Sequence, residues 1–200
     1  MSKYSLAAFL MLVMSIHTTE TAFSQKSSFI PKGIPSVKPT PKAEPAVIKW
    51  YSWQEAMDLE KKEKKKLFID IFIPNCSWCK RLDNETFKDP FVIKYINENF
   101  YPVKLDAKQN MDLQYKNHKY EYIRTPNGGY HELAVEFMQE DITFPSMVFL
   151  DENLNLIQTI GKFLDNEELL PIATYFGSDA HKDTPWSAYQ REFKYPDGFK

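Results

Sequence analysis

The 200-residue chain has two cysteines, and they stand three positions apart in FIDIFIPNCSWCKRL, residues 68–82. Cys76 and Cys79 could carry out reversible thiol–disulfide exchange, form a permanent cross-link, ligate a metal, or remain inert thiols. Their placement favours the first. The apolar run LFIDIFI (67–73) reads as a strand buried on both faces, and a helix is expected from about Cys76 to Asn84. A cysteine in the first turn of that helix faces unpaired backbone N–H groups and the positive end of the helix dipole, which favour thiolate over thiol. Cys76 is therefore the candidate nucleophile. Cys79, one turn on, is placed to attack a mixed disulfide formed at Cys76. Lys80 and Arg81 add positive charge nearby.

A structural disulfide is a poor use of this pair, because closing so small a loop removes little entropy from the unfolded chain. A metal site would need two more ligands from His118, His131, His181 or carboxylates, and these have no recognisable ligand spacing.

The elements that must hold the pair can be read from local signals. Val47–Trp50 is a short strand candidate, and Ser52 with Glu55 forms a capping box before a helix carrying Trp53, Ala56 and Met57 on one face. The basic run Lys61–Lys66, interrupted by Glu63, is read as the solvated face of a helix. Asp89-Pro90 supplies an N-cap and N1 proline for a helix to about Asn99, followed by a second parallel strand over 101–105. SMVFLD (146–151), the Glu152-Asn153 turn and LNLIQTI (154–160) read as a hairpin. A helix over 167–175 and another opened by Thr184-Pro185, with Trp186, Tyr189 and Phe193, close the chain. The order predicts an α/β fold with a mixed central sheet flanked by helices and reactive groups at the carboxyl ends of its strands.

Lysine plus arginine (25) nearly equals aspartate plus glutamate (27), for a net charge of −2, so no nucleic-acid partner is expected. At 43% hydrophobic residues the chain can bury one core. Lys3 precedes an apolar block, Leu6–Ile16, that is short for a bilayer span. Residues 1–24 are therefore read as a signal peptide, with Ala22 and Ser24 preparing a cut before Gln25. The expected product is periplasmic or secreted, with no membrane anchor after cleavage; an uncleaved anchor is the alternative. Residues 25–46, which include Pro31, Pro35, Pro39, Pro41 and Pro45, read as a proline-rich linker, leaving 47–200 as the folded domain.

The pattern of a strand, CxxC and a helix, with Asp70 six residues before Cys76 and Phe144-Pro145 directly before a strand, resembles the thioredoxin superfamily. The segments WxxAMxxxKKEKKxLFIDIF, CSWCKRLDxETFxDPxVxxYINxNFYPVKLDA, HELA, FPSMVFLDENLN and TPWSAYQREFK resemble its exported, DUF255-related thioredoxin-like proteins of Bacteroidetes, over about residues 47–195. The resemblance implies a thioredoxin fold and thiol–disulfide oxidoreductase activity on protein disulfides, with no soluble cofactor beyond the Cys76–Cys79 pair. It implies a buried Asp70 that moves the Cys79 proton and a cis Pro145 that shapes the substrate groove. Ser77, Trp78 and Phe144 are the expected substrate contacts. A reductase or isomerase role, with electrons from a membrane donor of the DsbD kind, is favoured.

Departures from the family pattern are also visible. CSWC replaces CGPC, Phe144 is bulkier than the usual residue before that proline, and 106–144 forms an insertion. The insertion is read as a surface excursion near the active-site end, either a partner-recognition element or padding, and His131 as a helix-start or packing histidine. The alternative function is a non-catalytic binding module whose Cys76–Cys79 disulfide is incidental or structural.

Overall fold

The structure, a computed structural model, describes residues 47–126, 128–139 and 141–199. The expected signal peptide and proline-rich linker lie outside these residues. Helix α1 (Trp53–Glu60) starts at Ser52, whose hydroxyl accepts the Glu55 N–H while the Glu55 carboxylate accepts the Ser52 N–H, completing the expected capping box. Strand β1 (Lys66–Phe72), helix α2 (Ser77–Asn84), helix α3 (Pro90–Asn99) and strand β2 (Phe100–Asp106) follow. Asp89 caps α3 by accepting the Phe91 and Val92 N–H groups at 2.9 and 3.0 Å.

The 106–144 insertion folds as two small hairpins and a helix. β3 (Leu113–Tyr115) pairs with β4 (His118–Tyr120), β5 (Tyr122–Ile123) pairs with β6 (Tyr130–His131), and α4 (Glu132–Met138) leads back to the sheet. The β5–β6 approach requires Gly129, because a Cβ there would fall 1.8 Å from the Ile123 carbonyl oxygen. Strands β7 (Ser146–Leu150) and β8 (Leu156–Ile160), then helices α5 (Asn166–Gly177) and α6 (Trp186–Glu192), complete the chain. Pro171 lies inside α5 and leaves the Glu167 carbonyl without its helical donor; the Tyr195 hydroxyl donates to it instead, at 2.8 Å.

The four-stranded sheet has the order β2-β1-β7-β8, with β1 parallel to β2 and the other pairs antiparallel. Side chains alternate between two apolar layers. Phe68, Phe100, Met147 and Phe149 face α2, α3 and α5, whereas Leu67, Ile69, Ile71 and Val148 face α1, α4 and β3. Among the described residues, no helix is long and apolar enough to cross a membrane.

Three local expectations are corrected. Val47–Trp50 forms no strand: Lys49 N–H goes to the Asn97 side chain, and only Tyr51, bridged to Val103, pairs before Ser52 caps α1. The basic run is a turn entering β1, where Lys66 is 4% exposed and ion-paired with Glu152 and Asp179. β8 starts at Leu156, because the Asp151 carboxylate accepts the N–H groups of Asn153 and Asn155 and holds 151–155 as a turn.

Candidate active site: the Cys76–Cys79 disulfide

At the carboxyl end of β1 the chain turns through Pro74 and Asn75, the latter with φ 65°, and places Cys76 as the N-cap of α2. Cys76 and Cys79 form a disulfide with a Cα–Cα separation of 5.2 Å. Cys76 Sγ also accepts the Cys79 N–H at 3.0 Å, so the sulfur occupies the position where helix N-termini stabilise negative charge. The two sulfurs differ in access. Cys76 is half-buried and Cys79 is 4% exposed, so an external partner meets Cys76 first.

The Phe144–Pro145 peptide bond is cis. Because β7 runs antiparallel to β1 with Ser146 opposite Ile71, Pro145 lies level with the end of β1 from which the Cys76 turn leaves. Side chains lock this approach. Thr143 Oγ1 donates to the Gly161 carbonyl at 3.1 Å, and Ser146 Oγ donates to the Thr143 carbonyl at 2.7 Å. Phe144 is half-buried, with its ring 5.5 Å from that of Tyr130.

On the α2 side of the sheet, Trp78 is 53% exposed and packs 5.5 Å from Phe163. The Arg81 guanidinium lies over both rings, at 5.4 and 4.8 Å, while ion-pairing with Glu85. Ser77 is exposed beside them. Phe163 escaped the sequence reading, since no local pattern marks a residue from the far end of the sheet as a neighbour of Trp78.

Asp70 is fully buried in β1 and points, with Phe68 and Phe72, into the layer that holds α2. Lys104, its register partner on β2, donates to Asp70 Oδ2 at 2.5 Å and also to the Asp83 carboxylate on α2. Asp70 is therefore linked through one ammonium to the helix that carries both cysteines. Burial pushes its carboxyl up to about 6, outweighing the nearby Lys104 charge that pulls it down; Asp83 adds to the rise. The Lys104 ammonium is held above its ordinary range because Asp70 and Asp83 outweigh its own burial. Lys104 and Asp83 were missed in the sequence. The available signal was a lysine inside the apolar strand FYPVKLD, beside a strand with an internal aspartate.

His131 caps α4 through Nδ1, which accepts the Leu133 N–H, and its Nε2 lies 2.9 Å from the Met111 carbonyl oxygen. It is wholly buried in that structural role. Among the described residues, no group of three or more His, Cys, Asp or Glu side chains is arranged to hold a metal ion.

The sheet order β2-β1-β7-β8, with a Cys-x-x-Cys disulfide at the start of α2 and a cis proline before β7, defines a thioredoxin fold. The chain belongs to the family Thioredox_DsbH, described as a protein of unknown function, DUF255, which matches residues 41–168. Mouse spermatogenesis-associated protein 20 is 36% identical over 67 residues, which make up 33% of this chain and 8% of that protein. The match thus spans less than a tenth of that relative's length. A thioredoxin-fold protein from Helicobacter pylori superposes with a TM-score of 0.51 at 15% identity, covering 64% of this chain and 83% of its own. A DsbH oxidoreductase aligns over 64% of this chain and 84% of its own, with TM-score 0.42 and 19% identity.

Proposed function

We propose that this protein is an exported thiol–disulfide oxidoreductase acting on protein disulfides. The observation that carries the reading is the asymmetric pair: a partly exposed Cys76 at the cap of α2, with a buried Cys79 one turn on. In the reduced protein the Cys76 thiolate attacks a substrate disulfide, forming one mixed S–S bond and releasing one substrate thiolate. Cys79 then gives up its proton and attacks Cys76 Sγ. The second substrate thiolate leaves, so the substrate gains two electrons and the Cys76–Cys79 disulfide re-forms. Asp70, held near pKa 6 and largely ionised at neutral pH, accepts the Cys79 proton directly or through one water. Pro145 shapes the groove, the Phe144 backbone pairs with an extended substrate segment, and Ser77 and Trp78 contact it. The two sulfurs hold the electrons, so no soluble cofactor is invoked.

The preferred direction is reduction or isomerisation, with the pair recharged by a membrane donor of the DsbD kind. The N-terminal pattern of a basic residue, an apolar block and small residues before Gln25 supports a periplasmic or secreted location.

Equilibration of the pair against glutathione and dithiothreitol buffers, with thiol alkylation as readout, tests this. A midpoint near about −270 mV supports the reductase, and one near about −120 mV makes the protein an oxidant. A pair still oxidised well below about −300 mV is a structural disulfide, and the enzyme reading fails. In parallel, Cys76→Ser should abolish exchange while Cys79→Ser accumulates mixed disulfides.

A further inference from the structure

The insertion brings a cation to the active-site end of the sheet. β2 ends at Asp106; the next N–H, that of Ala107, still pairs with the Phe72 carbonyl at 2.9 Å, and the Ala107 carbonyl accepts the His131 N–H at 2.8 Å. Lys108 therefore leaves the sheet level with the end of β1, where the Cys76 turn begins. Its ammonium sits 3.9 Å from the centroid of the Tyr130 ring and donates to the Gly129 carbonyl at 2.6 Å. Tyr130 packs on Phe144, the residue before cis Pro145. A single aromatic ring thus separates the Lys108 ammonium from the groove wall.

The charge is left open towards solvent. Asp106 spends its carboxylate on the Lys108 backbone N–H, at 2.8 Å, and the Lys108 ammonium forms no ion pair among the described residues. Beside it lies a cavity of about 380 Å³ lined by Lys108, Asn110, Tyr122, Arg124, Thr125 and the backbone of Gly128 and Gly129. No described carboxylate lines it. Arg124, like Lys108, has no carboxylate within ion-pair distance among the described residues. Two cations with no ion pair among the described residues, the Asn110 amide and the Thr125 hydroxyl around one cavity form a receptor for a carboxylate, while the Tyr122 hydroxyl donates to the Gly129 carbonyl at 3.0 Å.

We propose that the insertion is the specificity element of the exchange reaction: Lys108, cradled on Tyr130 beside Phe144, with Arg124 receives an acidic side chain flanking the substrate's disulfide cysteine. This rests on the oxidoreductase reading above. The insertion then acts as a selector of acidic segments. The chemistry of exchange stays that of Cys76 and Cys79, and the carboxylate is neither consumed nor altered.

The test needs two disulfide-linked peptides that differ only in having glutamate or lysine beside the cysteine, reduced by the full-length protein at low ionic strength. The glutamate peptide should react with higher kcat/KM, by about two- to fivefold for partly exposed charges, and salt should erase the difference. Lys108→Met, which keeps the aliphatic stem on Tyr130, should reduce the preference, as should Arg124→Gln; Lys108→Glu should reverse it. Equal rates for the two peptides with wild-type protein, or a preference surviving both neutral variants, overturn the specificity assignment while leaving the oxidoreductase intact. No exchange with either peptide overturns both.

Discussion

Asp70 and Lys104 face each other across the parallel β1–β2 pair with carboxylate and ammonium 2.5 Å apart, and Asp83 holds the same ammonium from α2. One cation is shared between two acids, and the wholly buried acid bears the desolvation cost. Its second oxygen, Oδ1, accepts no hydrogen bond among the described residues. Such a carboxyl is poised to gain and lose a proton near neutral pH.

The first prediction concerns stability. Because the folded-state pKa of Asp70, about 6, lies above its ordinary value of 3.8, the native state binds the proton more tightly between those values. The stabilisation it contributes is present below about pH 4 and is lost as pH rises through 6. Asp70→Asn, which mimics the protonated acid, should therefore stabilise the protein at pH 8 by on the order of 2 to 3 kcal/mol and by little at pH 4. Urea midpoints at the two pH values decide it, and a gain independent of pH would refute the assignment.

The second concerns the Cys79 step. If Asp70 takes the Cys79 proton, single-turnover resolution of a mixed disulfide rises with pH through an inflection near 6. Lys104→Gln removes the neighbouring positive charge and should move that inflection upward by about one to three units. Asp70→Asn should slow resolution and remove the inflection. An unmoved inflection in Lys104→Gln would exclude Asp70 as the titrating group.

A third test addresses the loop before Pro145. A Cβ on Gly161 would lie 2.1 Å from Thr143 Oγ1, so Gly161→Ala must turn that side chain away and break its bond to the Gly161 carbonyl. Peptide exchange should slow by on the order of tenfold through misplacement of the groove, while the midpoint potential of the cysteine pair stays where it was. A large change in potential with normal kinetics would place the effect elsewhere.

Trp78 separates binding from folding. Being half exposed, it contributes little to the core, and Trp78→Ala should cost under about 1 kcal/mol of stability. Loss of the Trp78–Phe163–Arg81 wall should appear instead as a raised KM for protein disulfides. An unchanged KM would remove Trp78 from the groove.

The core gives a contrasting expectation. Phe149 is fully buried among Phe68, Phe100 and Phe176, with ring centroids at 5.3, 5.7 and 4.8 Å. Phe149→Ala should cost about 3 to 5 kcal/mol in chemical denaturation, with no shift in the reduction potential of the protein that remains folded.

The sequence by itself determined those features whose signals are local. A capping box spans four residues, an Asp-Pro helix start two, a buried strand seven and the cysteine pair four, each within reach of its own backbone. These were enough to expect the mixed sheet, Cys76 at the mouth of a helix and a proline before the β7 strand. Where a distant partner competed, local reading failed: Asn97 captured the Lys49 N–H, and Glu152 with Asp179 drew Lys66 into the interior. Only the tertiary structure decided which charges and rings meet. Asp70 and Lys104 are 34 residues apart and become partners because β1 and β2 pair in one register; a one-residue slip would turn Lys104 to the opposite face. The walls formed by Trp78 with Phe163 and by Phe144 with Tyr130 and Lys108 likewise exist only once the sheet brings separate segments to one end. Helix and strand spacing act over a turn or two of chain, whereas the electrostatics and shape of this site come from side chains gathered across strands.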